Sequence, residues 1–388
     1  MGRLTGNLVV SGDLYFGELT TAGAVISGIT RHGEARSGEP LIIPGFIDLH
    51  FHGLGPYGTE SLDSLRGIAE FAPRTGTTGI CPAVSPDRWE KLLACVQNGA
   101  ILAKSEPVGA HFLGTHLEGP FIAPEAKGGM NEQYLRAASI SELEALLEAA
   151  EGTVRVLTLS PEIAGAMELI RLACSRDVQV SIGHTHCTLE QFSQAVSAGA
   201  RQVCHLFDTF EGRTVQGGVS QPCLADAVLL DDRVFVEIIV DGHHVPPMLI
   251  ELARRCAGAA RIIAITDCTQ GTGLPDGVYR KSDGREFRLT NGGVCRLTDG
   301  SNNIVGSCLT MDAAFRNLTG KFGFSIPEAS LMLSGNPARA LKAHDRTGEL
   351  RVGLQADITV LAPGTHQVER CFVNGRCVFQ SNQQQTAG

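Results

Sequence analysis

Seven short runs rich in Val, Ile, Leu or Phe, each closing on a polar or ionisable residue, set the frame for this 388-residue chain. They are LIIPGFIDLHFH, GAHFLGTHLE, VRVLTLSPE, VQVSIGH, RQVCH, VFVEIIVDGHH and RIIAITD. Between them lie longer stretches with helical periodicity, and that alternation predicts repeated strand–helix units around a parallel sheet. Two helix starts are expected from capping-box spacing, Ser141 with Glu144 and Thr188 with Gln191, and Gly152 is placed as a stop. The alternation occupies residues 44–345, more than the roughly 250 residues of a plain eightfold barrel, so loop insertions are expected.

The two ends read differently. Residues 1–43 and 346–380 are short alternating strand candidates separated by Gly, Asp and Asn-Gly turns, and neither segment is long enough to fold alone. Pairing them with each other into one small β domain resolves both problems. The polar tail 381–388 is expected to be disordered. Lys and Arg number 32 against 41 Asp and Glu, a net charge of −9 with no basic run, which opposes nucleic acid or an anionic membrane as partner. No apolar stretch approaches the roughly 20 residues of a membrane span, and the first residues lack a signal-peptide layout, so a soluble cytoplasmic protein is expected. The 12 cysteines are scattered from Cys81 to Cys377 without a C-x-x-C pair, which reads as reduced thiols rather than a disulfide framework.

The polar run ends carry the chemistry. His50 and His52 lie two apart, so on a strand both imidazoles face one side. Taken alone, that pair is as consistent with chance as with a metal site. Glu118, His184, His205 and Asp267 close four further runs, where barrel enzymes place reactive groups. Such groups are costly to bury unpaired, and a shared cation accounts for all of them together. A metal site is therefore expected from His50, His52, Glu118, His184 and His205, with Asp267 either ligating or poised beside it. Nitrogen and carboxylate donors without a dedicated cysteine set suit zinc first, with iron, manganese or cobalt as alternatives. His111, at a strand start, reads as structural, and His186 as a loop residue. Cys204 and Cys268 read as packing residues, because adjacent strand positions face opposite sides.

The order PGFIDLHFHG, THLEGPF, GHTHCT, HLFDTF, DGHHV, ITDCTQGTG, VGSCLTM, NPARAL and GELRVGLQADITVL, running from about Gly6 to Phe379, resembles the amidohydrolase superfamily and, within it, the N-acetylglucosamine-6-phosphate deacetylase family. The resemblance implies a distorted (β/α)8 TIM-type barrel with a small β-sandwich domain built from both terminal segments, in agreement with the patterning. It further implies Glu118, His184 and His205 as principal metal ligands, His50 and His52 as holders of a second ion, and Asp267 as the catalytic aspartate. His244 corresponds to a histidine that contacts the sugar phosphate or carbonyl region. A homodimer is implied as well, with an arginine reaching across to the phosphate.

The implied reaction removes acetate from an N-acetyl amino sugar 6-phosphate. A bound divalent ion lowers the pKa of its water from roughly 15.7 to about 7 and polarises the carbonyl. Asp267, with an unperturbed pKa of about 3.9, takes the water's proton and returns it to the departing amine. Two departures bear on the substrate. Asp208 and Thr209 stand where the family has Asn and Ala beside the phosphate, and Arg213 is the nearest candidate for the arginine. They leave open an unphosphorylated N-acyl amine, a D-amino-acid derivative or a cyclic amide as substrate. A barrel that merely binds a ligand would lack some of the ligand residues, and none is missing.

Overall fold

The computed structural model describes residues 2–281 and 283–381. Eight parallel strands surround the centre: β1 (Phe46–Asp48), β2 (Thr77–Ile80), β3 (Thr115–Glu118), β4 (Val154–Leu159), β5 (Gln179–Ile182), β6 (Gln202–Val203), β7 (Phe235–Ile239) and β8 (Ile262–Ile265). Pro82, which has no N–H to donate, interrupts the ladder after β2, and Ala83–Val84 resume it against His116 and Leu117 of β3. The ring closes beyond the ends of β1 and β8. There the Asp267 N–H donates to the His50 carbonyl at 2.9 Å, the His52 N–H to the Cys268 carbonyl at 2.6 Å, and His52 bridges to Thr269. This is the expected (β/α)8 arrangement.

Two clusters account for its packing. Ile47, Leu49, Val156, Ile239, Ile263 and Ile265 from the strands pack with Ala338 and Leu341. A larger cluster joins the outer faces of the strands to the surrounding helices, including Leu143 and Leu146 of α3 (Ile140–Ala149), Leu169 of α4 (Ala166–Ser175) and Phe192 of α5 (Leu189–Ala198). These helices present one apolar stripe at three- and four-residue spacing, as crossover helices must. The Thr188–Gln191 box caps α5 as expected. At α3 the cap lies earlier: the Ser139 hydroxyl accepts the Glu142 N–H at 3.3 Å. The Ser-x-x-Glu spacing occurs there too, and the extended backbone of Ser139 lets it cap.

Two elements were not foreseen. Strand β2 comes from TTGICPAV, whose Thr, Gly and Pro content dilutes the apolar signal. Residues 277–307 form a four-stranded antiparallel sheet (Gly277–Arg280, Glu286–Leu289, Val294–Leu297, Ile304–Ser307) inserted between β8 and α8 (Met311–Arg316). It has its own small core of Phe287, Leu289, Cys295, Leu297 and Val305. Its last strand is stitched to the end of β8, the Ser307 N–H donating to the Asp267 carbonyl at 2.8 Å and the Thr269 N–H to the Ser307 carbonyl at 3.2 Å.

The terminal segments meet as expected, in one seven-stranded sheet in which Leu41–Pro44 pairs with Ile358–Leu361. The sheet bends back on itself, since the Ile26 N–H reaches the Leu354 carbonyl at 2.9 Å and the Ala356 N–H the Ala24 carbonyl at 2.8 Å. Leu8, Leu19, Ile26, Ile42, Ile358 and Val360 fill the space it encloses. His111 Nε2 donates to Asp357 Oδ1 at 3.0 Å, tying the base of the barrel to this sheet and fulfilling its structural reading. Of the expected disordered tail, Ser381 is hydrogen-bonded to the Glu369 carbonyl at 2.8 Å, and residues 382–388 lie outside the described residues. Among the described residues no helix is long and apolar enough to cross a membrane.

Gly183, just before His184, has no room for a side chain. A Cβ there would lie 2.4 Å from the Cys204 Cβ and 2.9 Å from a Thr158 methyl. Gly183→Ala is expected to destabilise the protein by about 1–3 kcal/mol, read as a lowered urea midpoint with unchanged m-value.

Candidate metal centre and active site

His50, His52, Glu118, His184, His205 and Asp267 come together at one rim, each just at or beyond the C-terminal end of its strand. The Glu118 carboxylate is the hub. Its Oε1 lies 3.3 Å from His50 Nε2, 3.1 Å from His184 Nε2 and 3.2 Å from His205 Nε2, while its Oε2 lies 3.2 Å from His52 Nε2. His52 Nε2 is also 3.3 Å from Asp267 Oδ1. The His184 and His205 Nε2 atoms are 3.1 Å apart. Three of these residues, His184 (φ 47°), His205 (φ 21°) and Asp267 (φ 47°), have left-handed backbone, which non-glycine residues adopt rarely and mostly where surrounding structure enforces it. The strain turns each strand's last residue inward.

The proton positions show what this cluster is built to hold. Glu237 Oε2 lies 2.9 Å from His50 Nδ1, and the Ala126 carbonyl 3.0 Å from His184 Nδ1. A carbonyl can only accept, so His184 carries its proton on Nδ1, and the Glu237 carboxylate imposes the same on His50. The neutral rings then aim Nε2 lone pairs at a carboxylate oxygen. That arrangement is repulsive unless a cation lies among the donors or the rings take a second proton. His50 Nε2 has no hydrogen-bond partner among the described residues. The donors therefore fit a divalent cation. Burial opposes the charge on Glu118, yet the neighbouring His50 and His52 outweigh it and hold the carboxyl well below its ordinary range. Burial likewise works against Asp267, but the hydrogen bond from His52 and the adjacent imidazoles bring it down to about 2, so it is ionised at neutral pH.

Glu237 escaped the sequence reading although it carried a signal, an acid in the middle of the apolar run VFVEII. Fully buried, it joins His50 Nδ1 to the Gln202 amide and to the His205 N–H at 3.4 Å. Asp48 was also passed over. It accepts from the Thr266 hydroxyl at 2.6 Å and from the His50 N–H at 3.4 Å, and burial pushes it up to about 7. Cys204 corrects an expectation, because its Sγ lies 3.6 Å from His50 Nδ1 and within donor reach of Glu118 and His205. The unusual φ of His205 breaks the strict alternation on which the opposite-face argument depended. Cys268 packs as expected, its thiol donating to the Gly53 carbonyl at 3.1 Å. His116 is neutral, brought down to about 3 by burial, with both ring nitrogens occupied by Thr158 and the Leu49 carbonyl.

A cavity of about 390 Å³ opens over this rim, bounded by the metal cluster, by Asp208 and Thr209 after β6, by the loop around Gly128, and by the inserted sheet. The Thr209 hydroxyl is buried without a hydrogen-bond partner among the described residues. His244 lies apart from that lining. Its Nδ1 meets Asp241 Oδ2 at 2.6 Å and its Nε2 has no partner among the described residues. Burial would lower its pKa, but Asp241, Asp267 and Asp208 raise it above the ordinary value. Arg213 is outside the cavity, exposed and bidentate to Asp226 at 3.0 and 2.6 Å.

Residues 41–383 match the model of the amidohydrolase family. The chain is 34% identical over 340 residues to the N-acetylgalactosamine-6-phosphate deacetylase of Escherichia coli O157:H7, covering 87% of each chain. It is 31% identical over 356 residues to the N-acetylglucosamine-6-phosphate deacetylase of Vibrio furnissii, covering 90% of this chain and 86% of the other. The crystal structure of N-acetyl-D-glucosamine-6-phosphate deacetylase from Mycobacterium smegmatis superposes with a TM-score of 0.88 at 29% identity, covering 98% of this chain and 100% of that one.

Glu237→Gln keeps the shape of the side chain but removes the charge that fixes the His50 proton. It is expected to weaken divalent-metal affinity about 10–100-fold in competition with a chromophoric chelator, with the circular dichroism spectrum unchanged.

Proposed function

Because the chain belongs to the amidohydrolase family and, within it, to the N-acetylglucosamine-6-phosphate deacetylases, we propose that it hydrolyses the acetamide of N-acetylglucosamine 6-phosphate, giving glucosamine 6-phosphate and acetate. The observation that carries this reading is the convergence of three imidazole Nε2 atoms on one oxygen of Glu118, with the Asp267 carboxylate 3.3 Å from His52 on the same rim. Glu118, His184 and His205 would hold the principal ion and His50 with His52 a second, zinc being the metal that best suits nitrogen and carboxylate donors. Such an ion, when bound, acidifies a water and draws charge from the acetyl carbonyl.

The chain's own groups do the rest. Asp267, ionised at neutral pH, accepts a proton from the attacking water as its oxygen bonds to the acetyl carbon. The carbon–nitrogen bond then breaks, and Asp267 passes that proton to the amine, which leaves as a neutral nitrogen, while acetic acid carries the water oxygen with its second proton and ionises to acetate on release. Glu237 and the Ala126 carbonyl keep the His50 and His184 protons on Nδ1, so that both Nε2 lone pairs remain available throughout. Asp241 favours the protonated form of His244, whose Nε2 is left without a partner among the described residues. The Thr209 hydroxyl is free to meet a sugar or phosphate oxygen.

Asp208 supports a second reading, an unphosphorylated N-acyl substrate, since a carboxylate on the cavity wall repels a phosphate. Relative rates on N-acetylglucosamine 6-phosphate and on the free sugar separate the two, and equal rates select the second. Free thiols at all 12 cysteines suit a cytoplasmic location. A homodimer would give Arg213 a role that its own cavity does not offer. The hairpin that follows it exposes Val215 (73%) and Val219 (63%), and Leu230 (77%) lines a surface groove together with Arg213 and Ser220. Val215→Asp combined with Val219→Asp is expected to convert a dimer to a monomer in light scattering.

The direct test is Asp267→Asn. Full metal content by elemental analysis together with a fall in acetate release of about 10²–10⁴-fold is expected. Loss of metal along with turnover would make Asp267 chiefly a ligand, and undiminished turnover would remove it from the mechanism.

A further inference from the structure

The cavity contains a charge problem that the metal cluster does not solve. A sugar phosphate carries about −1.5 to −2 at pH 7, yet the wall also holds the carboxylates of Glu60, Asp87, Asp208 and Asp283. Asp87 is paired with Lys91 at 2.8 Å and Asp283 with Arg285 at 2.6 Å. Asp208 has no ion-pair partner among the described residues, and it occupies the place where the phosphate is expected. Arg213 lies outside the cavity of its own chain, so a cation that this chain offers to its own substrate must come from elsewhere in it. All the lysines and arginines lining it, Lys281, Arg285 and Arg296, belong to the inserted sheet.

Two of the three are already engaged. Arg285 holds Asp283 and donates to the Gly129 carbonyl at 2.9 Å, fastening the insert to the loop around Gly128, and Arg296 donates to the Asn302 carbonyl at 2.9 Å. Lys281 has no hydrogen-bond or ion-pair partner for its ammonium among the described residues. Its backbone is nevertheless fixed at the end of the first insert strand: its N–H donates to the Arg285 carbonyl at 2.8 Å, and its carbonyl accepts the Gly284 N–H at 3.0 Å. The insert is in turn anchored to the catalytic carboxylate's own backbone through Ser307. Lys281 lines the same cavity as Glu118 and Asp267; burial, and after it Arg285, lower its pKa, while the charges of Asp283, Asp267 and Glu118 act the other way.

We infer that Lys281, carried over the mouth by the inserted sheet, contacts the phosphate monoester of the substrate and is a specificity-determining residue of this chain. An ammonium with three rotatable donors suits a phosphate as a point charge without demanding a fixed fork geometry. The anion subsite then comes from the insert, and Asp208 is free to accept hydrogen bonds from sugar hydroxyls. The inference rests on the deacetylase reading.

The test uses zinc-loaded full-length protein with N-acetylglucosamine 6-phosphate and N-acetylglucosamine as paired substrates, and Lys281→Met and Lys281→Arg as variants. The ratio of kcat/KM for the phosphorylated over the free sugar is expected to fall at least tenfold in Lys281→Met, chiefly through KM, and to remain within threefold of wild type in Lys281→Arg. A wild-type preference for the phosphorylated sugar that survives Lys281→Met intact overturns the inference and leaves the deacetylase reading standing. Equal wild-type rates on both sugars overturn the inference along with the phosphate specificity. Calorimetric binding of glucosamine 6-phosphate supplies a readout independent of turnover. If neither sugar is hydrolysed, the deacetylase reading fails. In that case a tenfold loss of glucosamine 6-phosphate affinity in Lys281→Met still supports the anion subsite, and an unchanged affinity or no binding by wild type overturns it.

Discussion

Glu118 is a fully desolvated carboxylate with imidazole nitrogens on both of its oxygens, and most of the molecule's upper half can be understood as the scaffold that keeps it so. A buried charge of this kind is tolerated only when opposite charge meets it at close range and in fixed geometry. No single strand can supply that. Five of the eight barrel strands each contribute one or two groups, and only ring closure brings the His50–His52 segment beside Asp267. The hydrogen bonds that close the barrel therefore also complete the site, so opening the ring at that seam would cost the fold and the chemistry together.

Outer contacts carry as much of the design as the ligand atoms. Glu237, Gln202, Asp48 and Thr266 form a buried polar layer beneath the rim that sets which nitrogen of His50 bears the proton and where its backbone lies. Such a layer is stable only when nearly all of its members are satisfied, because a low-dielectric surrounding strengthens each bond and raises the penalty for each missing one. Comparable contacts keep the left-handed backbone in place: Glu237 accepts the His205 N–H, the Ser160 hydroxyl donates to the His184 carbonyl, and Asp267 is bonded to His50 and Ser307 through its backbone. Each is held by several neighbours at once, and relaxing any one of them would unpair a buried group.

The rim was legible in the sequence because its residues stand at the ends of apolar runs, where the two-residue period of a strand and the polarity of the final residue both register. His50, His52, Glu118, His184, His205 and Asp267 all announced themselves in this way. Glu237 did not, since it sits inside a run and its partners are remote in sequence by 187 residues at His50 and 35 at Gln202. Cys204 was misplaced for a related reason: strand alternation was carried one residue past the point where the chain leaves β-conformation. The inserted sheet was hidden because its strands are only four residues long, with burial alternating within Glu286–Leu289 rather than forming an apolar run. Lys281 was lost with it, and Arg213 could be named but not located, because sequence spacing says nothing about which side of a loop faces which cavity.

These different degrees of legibility follow a division in the architecture. On the proposed reading the bond-breaking groups sit on strand ends, whose positions are fixed by the barrel's hydrogen-bond ladder and its packed interior. Groups that meet the rest of the substrate sit on the turn after β6, the loop around Gly128 and the insert, which touch one another through Arg285 and Gly129 and rest on the barrel mainly through a few backbone bonds. A change such as Asp at position 208 can then alter what the cavity accepts while the ligand cage stays the same, because Asp208 itself supplies no atom to the carboxylate–imidazole cluster. Conversely, a cation that moves into the cavity on the insert can offset such a change at a distance. On that inference the two departures from an ordinary phosphate pocket, an acid after β6 and an unpaired lysine on the insert, form one electrostatic adjustment distributed over two loops.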